Sequence, residues 1–208
     1  MFKRLLLSLL CFGATSASAQ TLLFEVQAPV TEGGVPYSFV VWGDREGGSV
    51  TAYGVQVVNP DGKEQVLQDF ESLLPENSEA DALVVEDVNF DGYADFRVME
   101  YLPGGSSNIP FFYWIFQPET QQFVPAPDFS PILSPELDPD NRMLLSRQKL
   151  SANEFVTEFY SPQGTDPNLV KKEVRTYSAD GSSKIHVFAI KTGSPPQLVE
   201  SRQLGPGE

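Results

Sequence analysis

Residues 87–95 read Asp-Val-Asn-Phe-Asp-Gly-Tyr-Ala-Asp. Side chains that carry an oxygen ligand stand at positions 1, 3, 5 and 9 of this stretch, namely Asp87, Asn89, Asp91 and Asp95. Calcium loops space their ligands in this way, add a backbone carbonyl at position 7 and use glycine at position 6 for a sharp turn. Here Tyr93 would supply the carbonyl and Gly92 the turn. The spacing predicts a Ca²⁺ site.

The residues on either side of this loop predict strands. Residues 82–86 are rich in β-branched side chains, and residues 96–101 alternate between apolar and polar. An EF-hand loop would lie between helices and carry a bidentate Glu at position 12, where this chain has Val98. We therefore expect the loop to join two strands and its calcium to be structural.

Calcium is favoured over other cations by the kind of ligand present. A flexible cage of protein oxygens suits Ca²⁺ better than the smaller Mg²⁺, and no thiolate or imidazole stands nearby to favour Zn²⁺. The alternative is an ordinary turn rich in Asn, Asp and Gly that holds no metal.

The beginning of the chain has the pattern of a secretory signal peptide. Two basic residues precede an apolar run at 5–12, and small residues follow at 17–19. We expect cleavage after Ala19 and a periplasmic or secreted mature protein. A lipoprotein attached at Cys11 is the alternative, but leucines, not a small residue, precede that cysteine.

Charge excludes one class of partner. Of the 14 basic residues, two lie in the expected signal, so the mature chain carries 12 basic against 28 acidic residues, a formal balance of −16. Nucleic-acid binding needs a basic surface that displaces counterions, so nucleic acid is not an expected partner. The acidity is uneven, because residues 20–145 hold 21 acidic and 4 basic residues whereas residues 146–208 hold 7 and 8. The acidic portion could steer a basic partner or keep the protein in solution.

Short strand-like runs recur along the chain with Gly and Pro between them, and helical periodicity is nearly absent. The runs are Thr21–Gln27, Tyr37–Trp42, Tyr53–Val58, Leu83–Asp87, Phe96–Tyr101, Phe111–Phe116, Met143–Gln148, Phe155–Tyr160, Val170–Tyr177 and Ile185–Ile190. This pattern predicts an all-β fold of antiparallel hairpins in a propeller-like, sandwich or barrel arrangement. Residues 68–74 are the best candidate for a short helical turn.

Domain organisation follows from the same pattern. After residues 1–19, we expect residues 20–208 to form one all-β domain, with a subdivision near residue 142 left open. The proline-rich tract at 118–139 cannot be a central strand because proline lacks a ladder donor, so it should wrap a sheet edge or link two sub-sheets. No apolar run in the mature chain approaches the roughly 20 residues that span a bilayer.

A polar loop follows the strand after the calcium loop and is the candidate partner-binding site. It is bracketed by Pro103 and Pro110, and its candidate contacts are Gly104, Gly105, Ser106, Ser107 and Asn108. Exposed loops on rigid supports commonly carry binding sites, although an ordinary surface loop is the alternative. In the aromatic run at 111–116, most side chains should be core, while Tyr113 or Trp114 could reach a partner.

The sequence offers little for catalysis. His186 is the one histidine and alternates with apolar residues, which is typical of a plain strand residue. No Gly-x-Ser-x-Gly nucleophile elbow accompanies it, and no spacing selects a carboxylate pair for glycoside hydrolysis. The basic cluster at 171–175 should be a solvated strand edge. We therefore do not expect an enzyme.

The stretch from Val85 to Phe123, which includes the calcium loop and Tyr113-Trp114-Ile115-Phe116, resembles a family of exported bacterial calcium-loop proteins. That family includes a periplasmic immunity protein that protects Xanthomonas from its own lysozyme-like type IV secretion effector. The loop is also similar to the calcium loops of FG-GAP, integrin-type repeats. The resemblance covers roughly a fifth of the chain and implies an all-β, propeller-like fold, a structural calcium on the loop ligands named above, and inhibition of a peptidoglycan hydrolase.

Three functions are compatible with these observations. The leading hypothesis is a calcium-stabilised module that binds a protein partner and inhibits a lysozyme-like peptidoglycan hydrolase, as an immunity protein does. The alternative is a carbohydrate- or surface-binding module without inhibitory activity. A calcium-dependent hydrolase ranks last because no catalytic constellation supports it. Partner identity and oligomeric state stay open.

Overall fold

The structure is a computed structural model that describes residues 21–75, 79–104 and 108–207, without the side chains of residues 79 and 80. The expected signal peptide and its cleavage site lie outside these ranges. Within these ranges, fifteen strands, numbered β1 to β15 in chain order, form three sheets in which every strand pairing is antiparallel. The all-β prediction is confirmed.

Sheet A comprises the first five strands, in the order β1-β2-β3-β4 with β5 also paired to β3. Its strands are β1 (Thr21–Pro29), β2 (Pro36–Glu46), β3 (Ser49–Val58), β4 (Glu64–Leu67) and β5 (Ser72–Leu74). The helical turn expected at 68–74 is wrong, because Ser72–Leu74 pairs with Val50–Ala52 as a strand. Pairing with an available sheet edge overrides a weak local helical preference.

Sheet B follows one short helix, α1 (Glu79–Ala82), and has the order β6-β7-β8-β9. Its strands are β6 (Leu83–Glu86), β7 (Asp95–Met99), β8 (Phe111–Gln117) and β9 (Gln122–Pro125). All five residues of β7 are buried, so this strand is covered on both faces.

Sheet C contains the remaining described strands, which neighbour one another in the order of the sequence. Its strands are β10 (Pro135–Asp138), β11 (Met143–Lys149), β12 (Glu154–Tyr160), β13 (Leu169–Tyr177), β14 (Ser183–Ala189) and β15 (Gln197–Leu204). The proline-rich tract supplies β9 and β10, which are edge strands of sheets B and C, and a 3₁₀ helix at Pro127–Phe129 between them. This is where strands containing proline are tolerated, as expected.

The sheets are open, and no closed barrel forms within the described ranges, so a sandwich-like arrangement fits best. The described residues contain no helix long and apolar enough to cross a membrane.

Aromatic side chains join sheet A to sheet B. Phe39 of β2 lies 5.3 Å from Phe96 of β7 and 5.6 Å from Phe123 of β9, measured between ring centroids. Phe96 also stacks on Trp114 at 4.8 Å with an interplanar angle of 9°. Phe39 and Phe96 are fully buried, so this cluster forms the centre of the core.

A side-chain amide extends the junction between these two sheets at its edge. Gln65 of β4 donates to the carbonyl of Phe123 at 2.7 Å and accepts from the Phe123 N–H at 2.9 Å. The side chain thus bonds to β9 as a neighbouring strand residue would.

Replacing Gln65 with Ala should lower the free energy of unfolding by about 1–2 kcal/mol, because two hydrogen bonds to a half-buried edge are lost. Urea denaturation measures the change. The matched control is Gln56→Ala, since Gln56 makes an exposed side-chain bond to Glu64 within sheet A. An equal loss in both variants would contradict a special role for Gln65.

Candidate metal loop and partner-binding surface

The loop at residues 87–95 joins β6 to β7, which pair antiparallel with Glu86 opposite Asp95. The expected strand-loop-strand geometry is therefore present. Gly92 has φ +94°, in the left-handed region that glycine enters at low cost, as position 6 of a calcium loop requires. Phe90 also has a positive φ, of 60°.

Oxygens of the first ligand positions converge inside the loop. The Asp91 N–H donates to both Asp87 Oδ1 and Asn89 Oδ1, each at 3.1 Å. Asp87 Oδ2 accepts from the Gly92 N–H at 2.8 Å. Positions 1, 3 and 5 are thus brought together by the turn itself.

Asp91 belongs to the same group of converging loop residues. Its Oδ1 accepts from the Tyr93 N–H at 2.9 Å, and its Oδ2 accepts from the Asn89 amide at 3.0 Å. The Asn89 amide also reaches the carbonyl of Gly164, at 3.3 Å.

Asp95 occupies a different environment from the other ligand candidates. It is fully buried, and its two oxygens accept from the backbone N–H groups of Val88 at 3.1 Å and Phe116 at 2.9 Å. Burial, with a smaller contribution from the charges of Asp91 and Asp87, raises the pKa of Asp95 to about 8 against the opposing effect of the two N–H bonds. Asp95 therefore ties the loop to β8.

The atoms of this loop that could bind a metal are of the kind that a hard cation prefers. It consists of oxygens only, and an ionised carboxylate oxygen that accepts one N–H keeps another lone pair for a ligand. A cation at this loop would also offset the repulsion that raises the Asp95 pKa. Within the described ranges, however, no group of three or more His, Cys, Asp or Glu side chains has the arrangement of a metal centre. The calcium therefore stays a prediction.

The loop is held by the structure around it. The N–H of Ala94 donates to the carbonyl of Val30, after β1, at 2.7 Å. The guanidinium of Arg142, in the turn before β11, donates to the carbonyl of Phe90. Together with the Asn89–Gly164 contact, these bonds place the loop where sheets A, B and C meet.

The candidate partner loop lies between β7 and β8, and its ends are braced. The N–H of Glu100 donates to the carbonyl of Pro110 at 2.9 Å, and the N–H of Leu73 donates to the carbonyl of Glu100 at 2.8 Å. Gly104 is exposed, with open space where a Cβ would lie. The candidates Gly105, Ser106 and Ser107 lie outside the described residues.

Asn108 is an anchor for this loop. Its amide donates to the carbonyl of Lys149 at 2.9 Å and its Oδ1 accepts from the Lys149 N–H at 2.8 Å. These two bonds use its amide to fix the loop to sheet C, and the partner contact at Asn108 stays a prediction.

Tyr113 lies in the core, so the partner contact predicted for it is wrong in this structure. Only 3% of its surface is exposed, and its hydroxyl donates to the carbonyl of Ile132 at 3.1 Å. Trp114 is buried as well. The aromatic run is apolar on both faces because both faces of β8 are covered.

An apolar cluster lies on the surface beside this loop, and no sequence pattern predicted it. Leu73, Tyr101 and Leu102 are exposed to 54%, 44% and 40%, and Leu73 and Tyr101 are neighbours in an isolated parallel bridge. The composition of residues 68–74 predicted a helical turn, so no sequence signal placed Leu73 next to Tyr101.

A groove of about 390 Å³ continues from this cluster. Met99, Leu102 and Phe111 contribute apolar walls. Arg97 also lines the groove, with its guanidinium 4.2 Å from the centre of the Phe111 ring and its Nε 2.6 Å from a Glu86 oxygen. The groove therefore combines apolar walls with the Arg97 guanidinium, which is paired with Glu86, and with the exposed side chain of Asp81.

The basic residues at 171–175 are not at a sheet edge, which corrects the prediction. Their strand, β13, lies between β12 and β14. Lys171 pairs with Glu173 and Lys172 with Glu158, both at 3.1 Å. His186 lies on β14 between Val174 and Ser201 on the neighbouring strands, as expected of a plain strand residue.

Comparison with known proteins gives a fold relationship. No protein-family model matches this chain, and no curated protein matches it significantly. A solved structure of a Xanthomonas type IV secretion system related protein is similar to this chain, with a TM-score of 0.65 and 15% sequence identity. The match covers 85% of this chain and 93% of that one, so the two proteins share a fold over nearly their whole length.

Proposed function

We propose that this chain is an exported protein-binding module, stabilised by calcium at residues 87–95, that inhibits a peptidoglycan hydrolase of the lysozyme type. The observation that carries the proposal is the exposed cluster of Leu73, Tyr101 and Leu102 at the base of a braced loop. The module acts by binding and has no catalytic role of its own.

The cluster has the features of a protein-binding surface. Large apolar side chains grouped on a surface and next to a groove mark interaction sites more often than single exposed residues do. A partner side chain that entered the groove would bury the exposed Leu102, contact Met99 and Phe111, and meet an arginine whose charge is already paired. Such a pocket is a suitable place for an apolar anchor residue.

The bracing at the two ends of the loop reduces the entropy that those ends lose on binding. Its ends are fixed by backbone bonds at Glu100 and by both ends of the Asn108 amide. A surface that is ordered before it binds loses less conformational freedom on association, so more of the contact energy appears as affinity.

The class of partner is supported by three further observations. The solved structure with this fold is a type IV secretion system related protein, and the residues around the calcium loop resemble those of a family with a hydrolase inhibitor. The excess of acidic residues at 20–145 favours a basic partner through electrostatic steering. A carbohydrate-binding surface on β8 is disfavoured because Tyr113 and Trp114 are buried.

Replacing Leu102 with Asp should weaken inhibition of the target muramidase at least about tenfold, because a charge would have to be desolvated at the contact. The measurement is the inhibition constant of the mature protein against the muramidases secreted by its own organism, with purified peptidoglycan as substrate. Leu22→Asp is the matched control, since Leu22 is 60% exposed on β1, outside the cluster.

Each outcome of this assay is informative. Loss of inhibition in Leu102→Asp with unchanged inhibition in Leu22→Asp would support the proposal. Equal constants for both variants would remove the cluster from the interface, and no inhibition of any muramidase by the wild type would reject the inhibitor function.

A further inference from the structure

The last strand of sheet C has an open edge. Strand β15 (Gln197–Leu204) pairs with β14 on one side, and no strand of the described ranges pairs with it on the other. All of its residues except the last are exposed. An edge of this kind presents a row of backbone N–H and C=O groups to which another strand can add.

Strand β15 lacks most of the features that protect an edge strand. Proline, lysine, a short length and a bulge each prevent a second chain from pairing. The eight residues of β15 include neither proline nor lysine, whereas the edge strands β9 and β10 have four residues each and contain proline. A register shift opposite Val187 and Phe188 affects only the start of β15, so residues 200–204 pair regularly with β14.

The two charged residues of β15 lie on one face of the strand. Arg202 Nε is 2.9 Å from a Glu200 oxygen, and both side chains are about half exposed. This ion pair is the only polar side-chain contact that either residue makes within the described ranges. A carboxylate has two oxygens and a guanidinium has five N–H donors, so both groups can bind a second partner.

We infer that two copies of this protein associate by pairing their β15 edges antiparallel, with the twofold axis at Ser201. Glu200 and Arg202 stand one residue before and one residue after Ser201. Directly opposite residues in an antiparallel pair share a face. Glu200 of each copy would therefore lie opposite the partner's Arg202, and the contact occurs twice because the interface is symmetric.

Electrostatics selects this register over its neighbours. Every second residue of an edge strand turns its backbone groups outward, so the axis of a symmetric antiparallel pair passes through a residue. An axis at Glu200 would place two carboxylates opposite each other, and an axis at Arg202 would do the same with two guanidinium groups. Like charges directly opposite are destabilising. With the axis at Ser201, the four charges alternate in sign around a square.

The pattern of β15 fits a second copy better than an unrelated strand. Glu-Ser-Arg is complementary in charge to the same three residues in reversed direction, and β15 has no other charged residue. The inference goes beyond the proposed function, because β15 contributes no residue to the cluster of Leu73, Tyr101 and Leu102.

The dimer should be weak. An interface made by one pair of strands is smaller than the roughly 800 Å² per partner that is usual for stable complexes. The register shift also restricts regular pairing to the residues around the axis. We therefore expect a dissociation constant of about 10 μM to 1 mM that rises with ionic strength.

Sedimentation equilibrium of the mature protein at low salt, up to about 1 mM, tests the dimer. Glu200→Arg and Arg202→Glu should each raise the dissociation constant at least about tenfold, because both symmetry-related contacts become repulsive. Circular dichroism and thermal melting check that each variant is folded.

Mixing these two variants separates an intermolecular contact from a merely structural one. One variant carries two cations on β15 and the other two carboxylates, so the equimolar mixture should form a heterodimer within about threefold of the wild-type affinity. Glu200→Arg combined with Arg202→Glu in one chain should restore the homodimer in the same way. Loss of the ion pair within each chain cannot explain rescue by mixing, since mixing leaves both chains unchanged.

Glu136→Arg is the matched control. Glu136 of β10 and Arg147 of β11 form an ion pair of similar length, 2.8 Å, and of similar exposure at the opposite edge of sheet C. Reversing the charge there should change the dissociation constant of the dimer by less than about twofold.

A wild type that stays monomeric at about 1 mM would overturn the inference, as would an equal loss of association in Glu136→Arg. Failure of the mixed variants to associate would reject the axis at Ser201. A dimer that Leu102→Asp abolishes and Glu200→Arg leaves intact would assign self-association to the exposed apolar cluster and not to β15.

Discussion

Replacing Asp95 with Ala should lower the free energy of unfolding by about 4 kcal/mol, because two buried N–H groups would each lose their acceptor at about 1–3 kcal/mol. Those groups are the amides of Val88 and Phe116, which bond to separate oxygens of the Asp95 side chain. For a chain of this length the loss corresponds to a fall in melting temperature of roughly 10 °C. Urea denaturation and calorimetry in the presence of a chelator measure both quantities without a contribution from metal.

Two control variants separate this bracing from a general effect of removing charge. Asp95→Asn keeps one acceptor, so it should lose about half as much stability. Asp61→Ala removes a carboxylate from an exposed turn and should change the free energy of unfolding by less than about 0.5 kcal/mol. If Asp95→Ala were as stable as Asp61→Ala, the connection between the loop and β8 would not contribute to folding.

The longer strands could be predicted from the sequence because each carries a clear apolar pattern between turn residues. Strands β2, β3 and β8 were expected within a few residues of their observed bounds. The Asp-Gly turn after β3 shows why such signals succeed. Gly62 has φ +78°, and the Asn59 side chain accepts from the N–H groups of Asp61 and Lys63.

Some strands were not predicted from the sequence. These strands form because of the neighbours with which they pair, and not because of a pattern in their own residues. Three-residue β5 exists because the edge of β3 is open to it. Strand β9 contains proline and is held partly by the Gln65 side chain of another sheet. Strand β15 is exposed at nearly every residue, so it has no apolar alternation to read.

The features of the candidate site also fall into those that the sequence could predict and those that it could not. Ligand spacing at residues 87–95 is local, so the turn and the convergence of its oxygens could be predicted. Whether Tyr113 reaches the surface depends on what covers β8, and whether Asn108 is available depends on Lys149, 41 residues further along the chain. The sequence of one strand or loop contains neither fact.

Free calcium at about one hundred times its dissociation constant should raise the free energy of unfolding by about 2.7 kcal/mol, provided that the unfolded chain does not bind it. The melting temperature should then rise by roughly 5–10 °C. The reason is that Ca²⁺ at residues 87–95 would offset the mutual repulsion of three carboxylates, one of which is buried. Calorimetry in a chelator and at increasing millimolar calcium measures the shift.

Asp87→Asn combined with Asp91→Asn should abolish this shift, because both substitutions keep a side-chain oxygen while removing the charge that a hard cation requires. The matched control is Asp138→Asn combined with Asp140→Asn, at the end of β10 and in the turn that follows it, which removes two charges outside residues 87–95. Magnesium at equal concentration should give a smaller rise than calcium, since an oxygen cage of this flexibility does not meet its octahedral demand. A calcium-induced rise of equal size in the loop variant would place the ion elsewhere, and no rise in the wild type would leave residues 87–95 as a turn held by hydrogen bonds alone.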